Sequence, residues 1–192
     1  MTDADASSPD TPVSTKTVYA GKLLTVRVDT VRLPSGRETG REVVVHPGAI
    51  ALVPLLPDGR VVLVRQWRHA VGRMLLEVPA GTREPDEPPE ATAARELTEE
   101  TGYTAERIVP LGSFFTAPGF STEEIHCYLA LGLREGDASP EEDEGISLAY
   151  LPLGDAPAAV ARGDFQDAKS IAAFAMARHY LDLHPDETPA PR

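Results

Sequence analysis

The chain has 192 residues, 42% of them hydrophobic and 25% charged, and its formal net charge is −12. These values predict a single globular domain with polar tails, and the acidic excess argues against DNA or RNA as a partner, since phosphate binding depends on Lys and Arg. No apolar run approaches the roughly 18 residues of a membrane span, and the polar, acidic first residues are unlike a signal peptide.

The first 46 residues divide into a tail and a β region. Residues 1–15 are rich in Asp, Ser, Thr and Pro, which predicts a disordered tail. Residues 16–46 alternate apolar and polar side chains on either side of a turn at Pro34–Arg37. This pattern predicts a small N-terminal β-sheet ahead of the main domain.

Residues 47–184 form the predicted main domain, and residues 185–192 a disordered tail. Strands and helices are predicted from runs of apolar residues, turn signals and helical spacing. The predicted strands are 49–56, 61–67, 75–80, 108–115, 125–133 and 146–151, and the predicted helices outside the central motif are 155–162 and 167–183. Strands, a helix, more strands and two closing helices predict an α/β fold with a mixed sheet covered by helices.

Cys127 is the only cysteine, so the chain cannot form an intrachain disulfide. A chain of this kind is typical of a reducing compartment, and we expect a cytoplasmic location. The thiol lies in an apolar strand pattern, which favours a buried packing role.

The stretch from Gly81 to Tyr103 carries the strongest local signals. Pro88 and Pro89 suit the first turn of a helix, and Gly102 suits its left-handed end. The helix between them places three glutamates on one face and a set of small apolar residues on an opposing edge. The glutamates are Glu96, Glu99 and Glu100, and the apolar residues are Ala93, Ala94 and Leu97.

Three like charges on one helix face repel one another by about 0.2–0.5 kcal/mol for each close pair. One interpretation is a solvated acidic surface, which is what most charge runs are. The other is a site for Mg²⁺, with Mn²⁺ as the alternative, because both ions prefer oxygen ligands. Arg95 lies four residues before Glu99 and is placed to pair with it and orient its carboxylate.

The flanking residues favour the metal site. Gly81, five residues, Glu87, seven residues and Arg95-Glu96-Leu97-Thr98-Glu99-Glu100-Thr101-Gly102 match the Nudix box, so the chain resembles a Nudix hydrolase. The resemblance implies an α/β/α sandwich with a mixed β-sheet, here with the small N-terminal sheet added. It also implies metal-dependent hydrolysis of a nucleoside diphosphate linked to another group. The metal ligands it implies are Glu96, Glu99, Glu100 and the backbone carbonyl of Ala80, while Glu87 is either an outer ligand or, as we favour, a brace between loop and helix.

Features outside the box resemble ADP-ribose pyrophosphatases. They are the segments 64–68 and 76–81, the loop 117–123, and the pair Arg41-Glu42. The implied reaction is hydrolysis of ADP-ribose to AMP and ribose 5-phosphate. The alternatives are another nucleotide sugar, a dinucleotide or NADH as substrate, or a catalytically silent ligand-binding module of the same fold.

The same resemblance implies the residues that contact the substrate. Arginine suits phosphate oxygens, glutamate accepts from ribose hydroxyls or an adenine amino group, and tryptophan can stack on a base. The implied residues are Arg41, Glu42, Trp67, Arg68, Ala117, Pro118, Gly119 and Glu123. The alternative interpretations are a core position for Trp67 and ordinary surface charges for the two arginines.

A general base is implied in the acidic loop that follows, where Glu142 is the first candidate and Glu144 the second. A solvated loop acid is the alternative for each. The resemblance also implies a homodimer in which the N-terminal sheet crosses to the partner, so that Arg41 and Glu42 serve the neighbouring site.

Overall fold

A computed structural model describes residues 9–136 and 145–188. These residues cluster into two compact units. The first comprises the chain up to Pro47 together with Ala117–Glu123, and the second comprises Gly48–Thr116 and the chain from Glu124 onward.

The first unit contains a three-stranded antiparallel sheet in the order β1-β2-β3. Its strands are β1 (Thr11–Ala20), β2 (Thr25–Arg32) and β3 (Glu38–Val45). Residues 11–15, for which the composition predicts disorder, lie in β1 instead. Thr, Val and Tyr favour extended structure, and β2 supplies the hydrogen-bonding partner that composition alone cannot reveal.

The described residues of the second unit form three sheets and three α-helices. The strand orders are β7-β4-β10-β9, β12-β5-β6 and β11-β8. The strands are β4 (Ala49–Pro54), β5 (Arg60–Arg68), β6 (Arg73–Glu77), β7 (Ala80–Thr82), β8 (Tyr103–Thr104), β9 (Arg107–Phe115), β10 (Glu124–Leu131), β11 (Arg134–Glu135) and β12 (Ser147–Pro152). The helices are α1 (Pro89–Thr101), α2 (Ala156–Arg162) and α3 (Ala168–Leu183), with short 3-10 turns at His69–Val71, Leu153–Asp155 and Pro185–Glu187.

The four-stranded sheet is mixed, and its strand β4 is buried on both faces. β4 pairs in parallel with β10 and antiparallel with β7. Ala51 and Val53 of β4 enter a core shared with α2 and α3, whereas Ile50 and Leu52 enter a second core shared with α1. Side chains that alternate between two apolar cores require helices on both faces of the sheet. The predicted α/β fold with a mixed sheet between helices is confirmed.

Helix α1 begins and ends where the local signals place it. Pro89 occupies its first turn, and Gly102 ends it in the left-handed conformation with φ 75°. The predicted apolar edge is only partly correct, because Ala93 and Leu97 are buried but Ala94 is exposed.

The two faces of α1 also differ from the expected opposing arrangement. Glu96 and Glu100 are 9% and 3% exposed, so they are themselves buried. Glu100 lies seven residues after Ala93, which is nearly two full turns and brings it back to the same side of the helix. The acidic row therefore borders the core.

The predicted strand 75–80 is divided in the structure. β6 ends at Glu77 and β7 begins at Ala80, with Val78 and Pro79 between them. Pro79 has no N–H to donate to a strand ladder, and the Val78 amide donates instead to Ser170 Oγ at 2.9 Å. This break turns the chain towards α1.

Two further observations bear on the sequence predictions. Cys127 is buried in the core, and burial raises the pKa of its thiol to about 12, consistent with a packing role. Among the helices of the described residues, none is long and apolar enough to cross a membrane.

Candidate active site

The segment Glu77–Gly81 connects β6 to β7, and each of its five residues makes a specific polar or close contact. We call it the junction segment. Ala80 N–H donates to Glu100 Oε2 at 3.0 Å. The Pro79 carbonyl accepts from Leu52 N–H at 2.9 Å, which fixes the segment to β4. The segment therefore has a defined position against both the sheet and α1.

Gly81 lies directly against the carboxylate of Glu96. A Cβ atom built on Gly81 would lie 1.9 Å from Cδ and 2.0 Å from Oε1 of Glu96. No side chain other than hydrogen fits this approach, and this gives a physical reason for glycine at the first position of the motif. The Glu96 carboxylate occupies the space that a side chain at residue 81 would fill.

Arg95 is hydrogen-bonded to three carboxylates of the motif. Its Nη1 donates to Glu96 Oε1 at 2.7 Å and to Glu99 Oε2 at 2.9 Å. Its Nε and Nη2 donate to the two carboxylate oxygens of Glu87 at 3.2 and 3.1 Å. The three carboxylates raise the pKa of Arg95, with the hydrogen bonds to Glu87 as the largest cause. One guanidinium thus offsets part of the repulsion among the acids.

Glu87 joins the loop before α1 to the helix itself. Besides Arg95 it accepts a hydrogen bond from Thr92 Oγ1 at 2.8 Å. The hydrogen bonds from Arg95 are the largest cause that lowers the pKa of Glu87 to about 2. These contacts are those of a brace, and no described contact requires Glu87 to be a metal ligand.

The donor set around α1 suits a hard divalent cation. Within residues 9–136 and 145–188, no group of three or more His, Cys, Asp or Glu side chains is already gathered in metal-binding geometry. Arg95 binds one oxygen each of Glu96 and Glu99, while Glu100 is held on the Ala80 amide. The predicted ligands are nevertheless carboxylate and carbonyl oxygens brought to one end of the junction segment, and oxygen ligands are those that Mg²⁺ and Mn²⁺ take.

A second ionic network lies at the other end of the junction segment. Glu77 is 1% exposed, and Arg68 donates to both of its oxygens, from Nε at 2.9 Å and from Nη2 at 2.6 Å. Lys169 Nζ also donates to Glu77 Oε2 and, at 2.8 Å, to Asp167 Oδ1. Asp167 in turn caps α3 by accepting from Ser170 N–H at 3.0 Å. A buried carboxylate is therefore paired with two cations.

Charged groups of both networks affect the pKa of Arg68. The hydrogen bonds to Glu77 raise it most, burial opposes this, and the charges of Glu77, Glu100 and Asp167 raise it further. The negative charge of Glu100 on α1 therefore acts on the Arg68 guanidinium. Arg68 is therefore bonded to Glu77 and is also subject to the charge of Glu100.

The remaining predicted substrate residues lie at several places. Trp67 is 52% exposed, so its indole is available at the surface rather than packed in the core. Arg41 and Glu42 are exposed neighbours on β3, and Arg41 pairs with Asp10 at 2.8 Å. Glu142 and Glu144 lie outside the described residues.

The predicted loop 117–123 lies beside β3 within the first unit. Val44 N–H donates to the Phe120 carbonyl at 2.7 Å, and Thr122 N–H donates to the Val44 carbonyl at 3.0 Å. Glu123 approaches His46 at 3.8 Å. The structure therefore brings the loop that contains Ala117, Pro118, Gly119 and Glu123 to the strand that carries Arg41 and Glu42.

Sequence reasoning missed Glu77 and Lys169. Glu77 lies in the segment 76–81 that carries the family resemblance, and a charged residue in an otherwise apolar strand pattern was the available signal. Lys169 lies 92 residues after Glu77 in the sequence. No local pattern connects the two, so only the fold reveals the pair.

Two family models match the chain. The NUDIX domain model matches residues 45–174. The model described as the nucleoside diphosphate sugar hydrolase N-terminal domain matches residues 11–44.

Curated relatives and a solved structure resemble the chain over most of its length. An ADP-ribose pyrophosphatase of Bacillus subtilis (strain 168) is 38% identical over 173 residues, which cover 89% of this chain and 91% of the relative. An ADP-ribose pyrophosphatase of Mycobacterium tuberculosis (strain ATCC 25618 / H37Rv) is 42% identical over 164 residues, covering 83% and 79%. A crystal structure described as an ADP compounds hydrolase aligns with a TM-score of 0.84 at 23% identity, covering 94% of this chain and 98% of that one, and this likeness shows the fold.

Proposed function

The chain belongs to the NUDIX domain family, and on this premise we propose that it hydrolyses the diphosphate bond of ADP-ribose, releasing AMP and ribose 5-phosphate. The relatives named above support this substrate. The observation that carries the proposal is the junction segment, which holds Glu96 and Glu100 at one end and Arg68 at the other. A diphosphate needs both cationic contacts and metal-binding oxygens within reach of one another.

We propose that the reaction depends on a divalent cation, Mg²⁺ or alternatively Mn²⁺, held by Glu96, Glu99, Glu100 and the carbonyl of Ala80. When bound, such a cation neutralises charge on the phosphoryl oxygens and lowers the pKa of a bound water. Arg95 orients Glu99, to which it is bonded at 2.9 Å. The glutamates and Arg95 therefore act together as the catalytic face of α1.

Arg68 is the proposed phosphate contact in the second unit. Its guanidinium has five N–H donors, of which the two bonds to Glu77 use two. The remaining donors suit the oxygens of a diphosphate. Exposed Trp67, the neighbour of Arg68 on β5, is the proposed stacking surface for a base.

The first unit supplies the other proposed substrate contacts. Arg41, Glu42 and the loop with Ala117, Pro118, Gly119 and Glu123 lie on or beside β3. Glu142, or Glu144 in second place, is the proposed general base that removes a proton from the attacking water. A cytoplasmic location is proposed from the single buried cysteine.

We also propose that the protein is a homodimer in which Arg41 and Glu42 of one subunit serve the site of the other. All ten residues of β1 are exposed, among them Val13, Val18 and Tyr19. An edge strand with exposed apolar side chains favours association. Multi-angle light scattering of the purified protein is expected to give twice the chain mass of 20.6 kDa, and an active monomer would exclude shared sites.

The substrate proposal is tested with a panel of diphosphates in the presence of Mg²⁺. We expect ADP-ribose to give the highest kcat/KM, by at least about tenfold over GDP-mannose, NADH and a diadenosine polyphosphate, since tenfold needs only about 1.4 kcal/mol of selective binding. Products are identified by chromatography, and excess chelator is expected to abolish turnover.

Each other outcome has a defined meaning. Faster hydrolysis of another diphosphate assigns a different substrate to the same site. Tight ADP-ribose binding without turnover at any metal concentration identifies a silent binding module and rejects the enzyme.

A further inference from the structure

Lys169 joins the first turn of α3 to the buried end of β6. Its side chain is 15% exposed and lies between the carboxylates of Glu77 and Asp167. Asp167 is fixed by its capping bond to Ser170, and Ser170 Oγ accepts from the amide of Val78, the residue after Glu77. Lys169 is therefore held by the same contacts that attach α3 to the junction segment.

The ammonium group of Lys169 affects the charge interaction between Glu77 and Arg68. A buried carboxylate paired with one arginine cancels that arginine's charge, which weakens its attraction for an anionic ligand. Lys169 shares the charge of that carboxylate, but it also pairs with Asp167, so the two cations and two carboxylates of the network balance formally and the main contribution of Lys169 is to hold Glu77 in place. Burial alone raises the pKa of Glu77, but the hydrogen bonds from Arg68 and the charge of Lys169 outweigh burial and lower it, so Glu77 stays ionised.

The geometry of the Arg68 fork also depends on Glu77. Bonds from Nε and Nη2 to the two oxygens of one carboxylate fix the plane of the guanidinium. These two bonds fix the Arg68 guanidinium only if the Glu77 carboxylate is itself held in place. Lys169, itself bound to Asp167, donates to Oε2 of that carboxylate, the oxygen that also accepts from Arg68 Nη2, and so holds the carboxylate in place.

We propose that Lys169 is a positioning residue for substrate binding: through Glu77 it holds the Arg68 guanidinium in place, so that the remaining N–H donors of Arg68 face the substrate diphosphate. This inference rests on the proposed function. It predicts a role in binding rather than in the chemical step, since the ion-pair partners of Lys169 within the described residues are Glu77 and Asp167 rather than the glutamates of α1.

Lys169→Met tests the role in kinetics. We expect KM for ADP-ribose to rise about tenfold while kcat stays within about threefold, the pattern of lost uniform binding. Arg178→Met is the matched control, because it removes one positive charge from the same helix at an exposed pair with Asp182; its KM is expected to equal that of the wild type. Lys169→Arg, which keeps the charge, is expected to stay within about threefold of wild-type KM.

A double-mutant cycle separates positioning from a purely structural role. In an Arg68→Ala background, Lys169→Met is expected to change KM by less than about twofold, because the group through which it acts is gone. An equal rise of KM in both backgrounds contradicts the inference. So does a wild-type KM in Lys169→Met, or a rise in Lys169→Arg as large as that in Lys169→Met.

A measurement that needs no turnover tests the role of Lys169 independently of the substrate. The Nε–H signal of Arg68 in a ¹H–¹⁵N spectrum, assigned by its loss in Arg68→Lys, is expected to be sharp in the wild type and Arg178→Met, and to broaden or exchange faster in Lys169→Met. An unchanged signal would overturn the positioning role even in a variant with lowered stability. If the wild type does not hydrolyse ADP-ribose, the proposed function fails, and this signal alone decides the inference.

Discussion

Replacing Glu100 by Gln is expected to lower kcat for ADP-ribose by about 10³–10⁴-fold while leaving the fold intact. Glu100 is 3% exposed, and its Oε2 accepts the Ala80 amide hydrogen bond. A glutamine oxygen can accept the same bond, so the variant removes a charge and little else. Loss of one proposed anionic metal ligand is expected to remove several kcal/mol of transition-state stabilisation, at about 1.36 kcal/mol for each factor of ten.

The stability of Glu100→Gln is not expected to fall together with its activity. A buried carboxylate near Glu96 carries a desolvation cost that an amide does not. We therefore expect the melting temperature to stay the same or to rise. Glu90→Gln is the matched control, since Glu90 lies on the same helix but is exposed, and it should retain wild-type kcat. Equal kcat in Glu100→Gln and Glu90→Gln would contradict a catalytic role for Glu100.

Replacing Gly81 by Ala is expected to lower kcat by about 10³-fold through the position of a neighbouring side chain. The new methyl group would lie 1.9 Å from Cδ of Glu96, a distance that no real contact allows. Gly81 does not adopt a positive φ, so alanine imposes no backbone strain there. The end of a flexible side chain moves more easily than backbone does, and the Glu96 carboxylate is therefore displaced from its place against the junction segment.

The matched control is Gly154→Ala, where a Cβ meets nothing within 4 Å. Both variants are expected to keep native circular dichroism, and Gly81→Ala to melt within about 5 °C of the wild type, because about 1 kcal/mol shifts the melting temperature of a protein this size by about 2–4 °C. Gly81→Ala with wild-type kcat would show that the position of Glu96 against Gly81 does not matter for turnover. A fall of kcat in Gly154→Ala of similar size would show that the effect is not local.

The sequence predicted the parts of the fold that depend on local signals. The proline start and glycine end of α1, the glycine after α2 and the apolar spacing of α3 are all visible within a few residues. The edge strand β1 was not predicted over residues 11–15, because its partner β2 decides its structure. The exposure of Ala94 was missed for a similar reason, since the width of the buried face depends on what packs against it.

Some contacts of the candidate site could likewise be predicted from local sequence, whereas others depend on the fold. The spacing of the acids on α1 is a helical property and was available from the sequence. The Arg95 contacts to Glu99 follow from four-residue spacing, but those to Glu87 depend on the loop before α1. The network of Arg68, Glu77 and Lys169 joins β5, β6 and α3, and periodic patterns in the sequence do not predict contacts between such distant elements.

The acids of α1 are proposed to hold a divalent cation against a diphosphate, and calorimetric titration of Mn²⁺ into the purified protein tests this most directly. We predict saturable binding at about 1 mM or below in the wild type, and binding at least about tenfold weaker in Glu100→Gln, since removing an anionic oxygen ligand weakens a site for a hard cation. Absence of binding at about 10 mM, or equal affinity in the wild type and Glu100→Gln, would contradict the claim.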